Sequence, residues 1–349
     1  MKLDELDTPA LIVDLDRLRA NIERLQRYLD AHGIANRPHI KTHKVPQIAQ
    51  MQLAAGAVGI TCQKLGEAEV MADAGCTDIF LPYNIIGEAK LARLTALARR
   101  INLSLTADSA FAVHGYARAA QEAGLVLDVL IEFDSGMGRC GVQTPAEAAT
   151  LARQIVAMPG LCFRGLMTYP GNAQADLFVR ETRALLAADG IPIERVSYGG
   201  TPTMWQAHER SEVTEYRAGT YVYGDCATLY AGAMTPDQIA LYVLATVVSR
   251  PTAGRAILDA GSKALSEHPS AQNDYGLILE YPQARLTRLS EEHGWVDLRA
   301  CANRPPIGER VRIVPNHVCT AVNLFDHVFG VRGDEVEVMW PVAARGQVR

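Results

Sequence analysis

The chain has 349 residues, 48% of them hydrophobic and 21% charged, which is ample for a large core in a chain near the size at which domains divide. A formal net charge of −5 excludes the basic footprint of a nucleic-acid-binding protein, and no apolar stretch reaches the roughly 18 residues of a membrane helix. Seven scattered cysteines, odd in number and never spaced C-x-x-C, argue against a disulfide framework. The opening MKLDELDTPALIVDLDRL carries acids where a secretory signal carries bases, so a cytoplasmic protein is expected.

Taken in chain order, one supersecondary unit repeats. ALIVDL is read as a strand and the segment after it as a helix, in which Leu18, Ile22, Leu25 and Leu29 line one face at spacings of three and four. NRPHI, GITCQ, DIFLPYN, LSLTAD, LDVLIEF, FRGLMTY and RVSYGG continue the series of strands, each followed by a segment of helical period or, after RVSYGG, by EYRAGTYVYGD. Gly33, Gly124 and Gly190 stand where left-handed helix caps are wanted. About eight strand–helix units in roughly 225 residues predict an α/β fold with a closed parallel (β/α)8 barrel. No G-x-G-x-x-G follows the first strand, which disfavours an open doubly wound sheet. After about residue 235 the helical period stops, and strand-like runs such as YVLATVVSR, RAILDAG, YGLILEY and DEVEVMWPV follow. The chain is therefore divided into a barrel over 1–235 and an all-β domain over 236–349.

In such barrels the chemistry sits at the C-terminal strand ends. Those ends carry His39 and Lys41, Gln63 and Lys64, Arg139 in SGMGRCG, Tyr169, and the turn Gly199–Gly200–Thr201. RPHIKTHK reads either as a solvated basic loop or as a lysine nucleophile tuned by neighbouring cations. YGGTPT offers unobstructed backbone N–H groups and hydroxyls suited to a phosphate, or else a plain glycine turn. RAGTYVYG adds Gly219 and Thr220. A lysine one strand end from a phosphate cradle suggests pyridoxal 5′-phosphate held as a Schiff base. Later, PNHVC places His317 and Cys319 two apart on an expected strand, so alternation sends both side chains to one face. They read as a metal pair, with a buried cysteine beside a surface histidine as the alternative. Imidazole with thiolate favours zinc before magnesium or calcium.

TPALIVDLDRLRANI, RPHIKTHK, GRCG, GGTPT, DAGSKALS and PNHVCTAVNLFD, in this order along essentially the whole chain, resemble the fold-type III, alanine-racemase-like pyridoxal-phosphate enzymes. Within them the chain is similar to the D-threonine aldolase and D-serine dehydratase family. The resemblance implies Lys41 as the Schiff-base residue and His39 near the cofactor on the same strand face, with His43 and Lys44 starting the next helix. It implies Arg139 at the cofactor's phenolic oxygen, Arg217 against the pyridine nitrogen, and His317 with Cys319 as ligands of one divalent ion, zinc or a manganese- or magnesium-type metal. Some aldolases of the family carry aspartate in place of the cysteine, and aldolases commonly supply a histidine after the tyrosine that ends FRGLMTY, where this chain has Pro170. The reaction so implied is cleavage of D-threonine-type β-hydroxy amino acids to glycine and an aldehyde. Dehydration of D-serine or 3-hydroxy-D-aspartate to a 2-oxo acid and ammonia is the alternative, and racemisation a second one. A homodimer with the site near the subunit interface is expected from the same resemblance.

Overall fold

The computed structural model describes residues 1–349 and resolves them into two compact units. One comprises Met1–Glu23, Thr42–Gln47 and Thr220–Gly346; the other comprises Arg24–Lys41, Ile48–Gly219 and Gln347–Arg349.

The second unit is the parallel barrel. Its strands are Ala35–Asn36, Ile60–Thr61, Asp78–Leu81, Asn102–Ala107, Leu127–Glu132, Leu161–Met167, Arg195–Gly199 and Glu215–Arg217. Ala35–Asn36 pairs in parallel with Glu215–Arg217, and a parallel bridge from His39 to Thr61 joins the first strand to the second. The sheet thus closes on itself. Strand interiors such as Val129, Leu130 and Ile131 are fully buried, as expected where helices cover a parallel sheet. The Leu161–Met167 strand carries a register shift at Gly165, which has φ +145°, and a Cβ there would run into the carbonyl of Arg195. Only glycine fits that bulge. The helix Leu15–Ala31 buries Leu18, Ile22, Leu25 and Leu29 as its spacing predicts. Gly33, Gly124 and Gly190 all have φ between 64° and 67° just past helix ends.

The first unit is built on a largely antiparallel sheet. Its main path runs Arg285–Leu289, Gly294–Asp297, Arg255–Leu258, Leu241–Thr252, Ala10–Asp14, His327–Arg332 and Glu335–Pro341. Gly276–Ile278 and Arg310–Pro315 extend it as a branch from Leu241–Thr252. The run ALIVDL is not a barrel strand. Ala10–Asp14 pairs antiparallel with Leu241–Thr252 and parallel with His327–Arg332, and Ala10 and Ile12 pack with Leu6, Tyr242, Leu244 and Val331. The eighth barrel strand is instead the short Glu215–Arg217. The division therefore differs from a cut at residue 235, because the N-terminal strand and residues 220–235 pack with the β sheet. No helix of the chain is long and apolar enough to cross a membrane.

Candidate active site

Parallel strands bring their C-terminal ends to one rim. Past Ala35–Asn36, the N–H of His39 donates to Ala218 O at 2.9 Å. The chain then turns as a 3-10 helix over Ile40–Thr42. Lys41 therefore does not share a strand face with His39, because the turn replaces the strand. The imidazole folds over it, so that Lys41 N–H donates to His39 Nδ1 at 3.4 Å. With Nδ1 accepting, the ring proton belongs on Nε2, which lies 3.0 Å from Gln63 Oε1. Gln63 Nε2 donates in turn to Pro82 O at 3.3 Å. Lys41 is half-buried. His43 and Lys44 precede the next helix rather than start it. His43 Nδ1 accepts from Val45 N–H, Lys44 has φ +56°, and the helix opens at Pro46, where the missing N–H of proline is harmless. Lys64 is turned away onto the Tyr83 ring at 3.9 Å.

The loop after Leu127–Glu132 is tied by Asp134, whose carboxylate accepts from the N–H groups of Gly136, Met137 and Gly138. It carries Arg139, whose side chain is 52% exposed; its guanidinium lies 3.9 Å from Glu132 Oε1 and 5.9 Å from the centre of the Tyr169 ring. Tyr169 in turn lies against Gly200, which has φ +125°; a Cβ on Gly200 would fall 2.8 Å from Tyr169 Cε2. Gly199 ends Arg195–Gly199, and Thr201 opens the following 3-10 segment with its hydroxyl buried and unpartnered. Arg217 ends the last barrel strand, donating through Nε to Ser197 Oγ and through Nη2 to Thr168 O, both at 2.8 Å. Gly219 follows it in the barrel unit, while Thr220 opens a 3-10 turn of the β unit, accepting from Gly224 N–H at 2.8 Å. The structure thus brings His39, Arg139, Tyr169, Gly199, Gly200, Thr201 and Arg217 to one barrel rim.

In the β unit, His317 and Cys319 are not on a strand. The strand Arg310–Pro315 ends just before them, His317 caps the short helix Val318–Val322, and Cys319 lies in its first turn. The reason is backbone bonding. Asn316 O accepts from Ala227 N–H, and Val318 N–H donates to the Asp225 carboxylate, so no neighbouring strand is paired here. The two side chains still meet. Hydrogen bonds to Asp225 and Cys319 push the His317 imidazole up to about 10, against the effect of burial. Cys319 Sγ lies 3.2 Å from Thr42 Oγ1. No group of three or more His, Cys, Asp or Glu side chains poised for a metal ion exists in the chain.

Residues 13–227 match the alanine racemase N-terminal domain, and residues 240–331 match a putative serine dehydratase domain. The chain belongs to the alanine-racemase-like family. It is 38% identical to a D-threonine aldolase of Arthrobacter sp over 362 residues, covering 99% of this chain and 94% of that protein. It is 36% identical to a D-threo-3-hydroxyaspartate dehydratase of Delftia sp. strain HT23 over 347 residues, covering 90% and 91%. The crystal structure of D-threonine aldolase from Filomicrobium marinum superposes with a TM-score of 0.93 at 33% identity, covering 100% of this chain and 98% of that one.

Two features of this family barrel were missed by reasoning from the sequence. Beneath Arg217 lies a buried chain of bonds: Ser197 Oγ donates to Glu215 Oε1 at 2.7 Å, and Arg37 Nε donates to Glu215 Oε2 at 2.6 Å. Burial pushes the Glu215 carboxyl up, but Arg37 and Arg195 outweigh it and hold it low. Burial drives Arg217 down to about 10, against the opposing pull of Glu215 and Glu132. The second is Glu132 itself, 5% exposed at a strand end. Burial pushes it up to about 7 despite Arg139 and Arg217. Charged residues inside short strand-like runs, Arg37 in NRPHI and Glu215 in EYRAG, were the available signal.

Proposed function

We propose that this chain is a pyridoxal-phosphate- and divalent-metal-dependent lyase of D-configured β-hydroxy amino acids, cleaving D-threonine-type substrates to glycine and an aldehyde. The likeness to an aldolase and a dehydratase of such substrates supports the class. One observation carries the metal-assisted reading: Cys319 Sγ contacts the hydroxyl of Thr42, the residue that follows Lys41 in the chain.

The residues fit both groups. Beside the buried, unpartnered hydroxyl of Thr201 lies the Gly200 backbone, which tolerates no Cβ against Tyr169. A hydroxyl wanting a partner beside a glycine-only backbone suits a phosphate. An imidazole and a thiol in contact suit zinc or a manganese-type ion. When bound, pyridoxal phosphate supplies an electron sink for bonds at the substrate Cα, and the ion supplies Lewis acidity toward the β-oxygen.

The chain's own groups do the rest. Lys41 holds the cofactor through its amine and exchanges protons at Cα. His39, its Nδ1 against Lys41 N–H and its Nε2 3.0 Å from Gln63 Oε1, would stand beside the cofactor ring. Arg217 remains charged at neutral pH and would offer the ring nitrogen a donor, not a proton. Arg139, 5.9 Å from the centre of the Tyr169 ring, would bind the phenolic oxygen. Gly199, Gly200, Thr201 and Gly219 would bind the phosphate through N–H groups and a hydroxyl, and His317 and Cys319 would hold the ion.

Dehydration is the second reading, favoured by the loop Tyr169–Pro170–Gly171–Asn172. That loop has no imidazole, and Asn172 is committed to structure, accepting from Ala175 N–H and donating to Ser135 O. A racemase has no use for the metal pair. With all seven cysteines free, we place the enzyme in the cytoplasm; the homodimer rests on the family resemblance, and size-exclusion chromatography checks it. Incubation with D-threonine, D-serine and 3-hydroxy-D-aspartate, with and without chelator, tests the function. Glycine with an aldehyde identifies the aldolase, and a 2-oxo acid with ammonia the dehydratase. Inversion alone removes the lyase reading.

A further inference from the structure

The inference concerns Asp225 and rests on the metal reading above. Asp225 is fully buried. Its Oδ1 accepts from Thr228 N–H at 2.8 Å; its Oδ2 accepts from Val318 N–H at 3.1 Å and lies 3.4 Å from His317 Nδ1. Two backbone donors, one on each oxygen, leave the carboxylate no freedom to turn away from the imidazole. As the N-cap of Cys226–Tyr230, the position would be served equally by asparagine or serine. Only a carboxylate puts an acceptor at both oxygens, so that one can meet Thr228 N–H while the other meets Val318 N–H and His317 Nδ1–H together. Capping alone does not account for an aspartate here.

We propose that Asp225 is a positioning residue of the metal centre: it keeps the His317 proton on Nδ1 and turns the Nε2 lone pair toward the ion. Imidazole ligands of metals depend on such a partner for tautomer and orientation. Asparagine at this position would aim an amide N–H₂ either at Val318 N–H and Nδ1 or at Thr228 N–H, and the first arrangement favours the tautomer whose Nε2 cannot ligate.

The test titrates Mn²⁺ into the pyridoxal-phosphate-loaded enzyme and its Asp225→Asn and His317→Ala variants, with cofactor absorbance and the melting temperature of the metal-free form recorded alongside. The expected result is Mn²⁺ affinity about 10- to 100-fold weaker in Asp225→Asn, with cofactor absorbance unchanged and the melting temperature lowered only by the one backbone N–H left without an acceptor, and affinity lost in His317→Ala. Asp225→Ser, which also caps the helix, takes the same measurement if the asparagine variant does not fold. Native affinity in Asp225→Asn with loss in His317→Ala overturns the positioning role and leaves the metal reading standing. Native affinity in His317→Ala overturns both. Affinity that falls only together with melting temperature and cofactor retention, or unfolding of both Asp225 variants, assigns Asp225 to folding and overturns the inference.

Discussion

Arg217 reaches Ser197 Oγ with its Nε at 2.8 Å, and the same hydroxyl donates onward to Glu215 at 2.7 Å. One buried serine therefore links the cation at the barrel rim to the acid beneath it. Ser197→Ala leaves Arg217 Nε and Glu215 Oε1 each short of a partner, although Arg217 keeps Thr168 O. Stability is expected to fall by about 1–3 kcal/mol in urea denaturation. A variant as stable as the parent would show that the hydroxyl carries no such link.

Glu132 makes stability depend on pH in an unusual direction. Its folded pKa is raised from 4.5 to about 7, first by burial, so between those values the folded chain holds a proton that the unfolded chain has lost. The contribution is complete below about 4.5 and disappears as pH rises through about 7. Glu132→Gln removes it. Relative to the parent, the glutamine variant is expected to gain stability between pH 5 and pH 8, by at most on the order of 3 kcal/mol. Parallel denaturation curves at those two pH values check the sign, and a relative loss would contradict it.

Gly200→Ala tests the cradle. At φ +125°, with a Cβ aimed 2.8 Å from the Tyr169 ring, alanine is strained and displaces the tyrosine. Destabilisation above about 1 kcal/mol is expected, together with weaker retention of pyridoxal phosphate on dialysis, followed by visible absorbance. Alanine tolerated without either effect would mean that the phosphate is bound elsewhere.

The rim groups were legible because each travels in its own short motif at a strand end: RPHIKTHK, GMGRCG, YGGTPT and RAGT. Ala10–Asp14 was not. Its residues Ala10 through Val13 are buried, and such a continuous apolar run looks alike in a barrel and in the centre of another sheet. The Arg37–Glu215 pair spans 178 positions, a distance over which no local pattern speaks. His317 and Cys319 were legible as a pair, while their placement in a helix turn depended on Asp225, far away in the chain.

Lys41 is expected to carry the cofactor. Borohydride reduction followed by peptide mapping should find the pyridoxyl group on Lys41, and Lys41→Ala should abolish turnover. The label on Lys44 or Lys64 would contradict the assignment. The Lys64 amine is instead held over the Tyr83 ring at 3.9 Å.

The most direct test of the metal-assisted lyase is Cys319→Ala, assayed for metal content, visible absorbance and turnover of D-threonine. The proposed cofactor site comprises Lys41 and the glycine cradle and leaves this thiol out, so absorbance should be retained. Metal content and turnover should both fall steeply, because the proposed ion would keep only one of its two protein donors. Full activity in metal-free Cys319→Ala would contradict the account and favour racemisation.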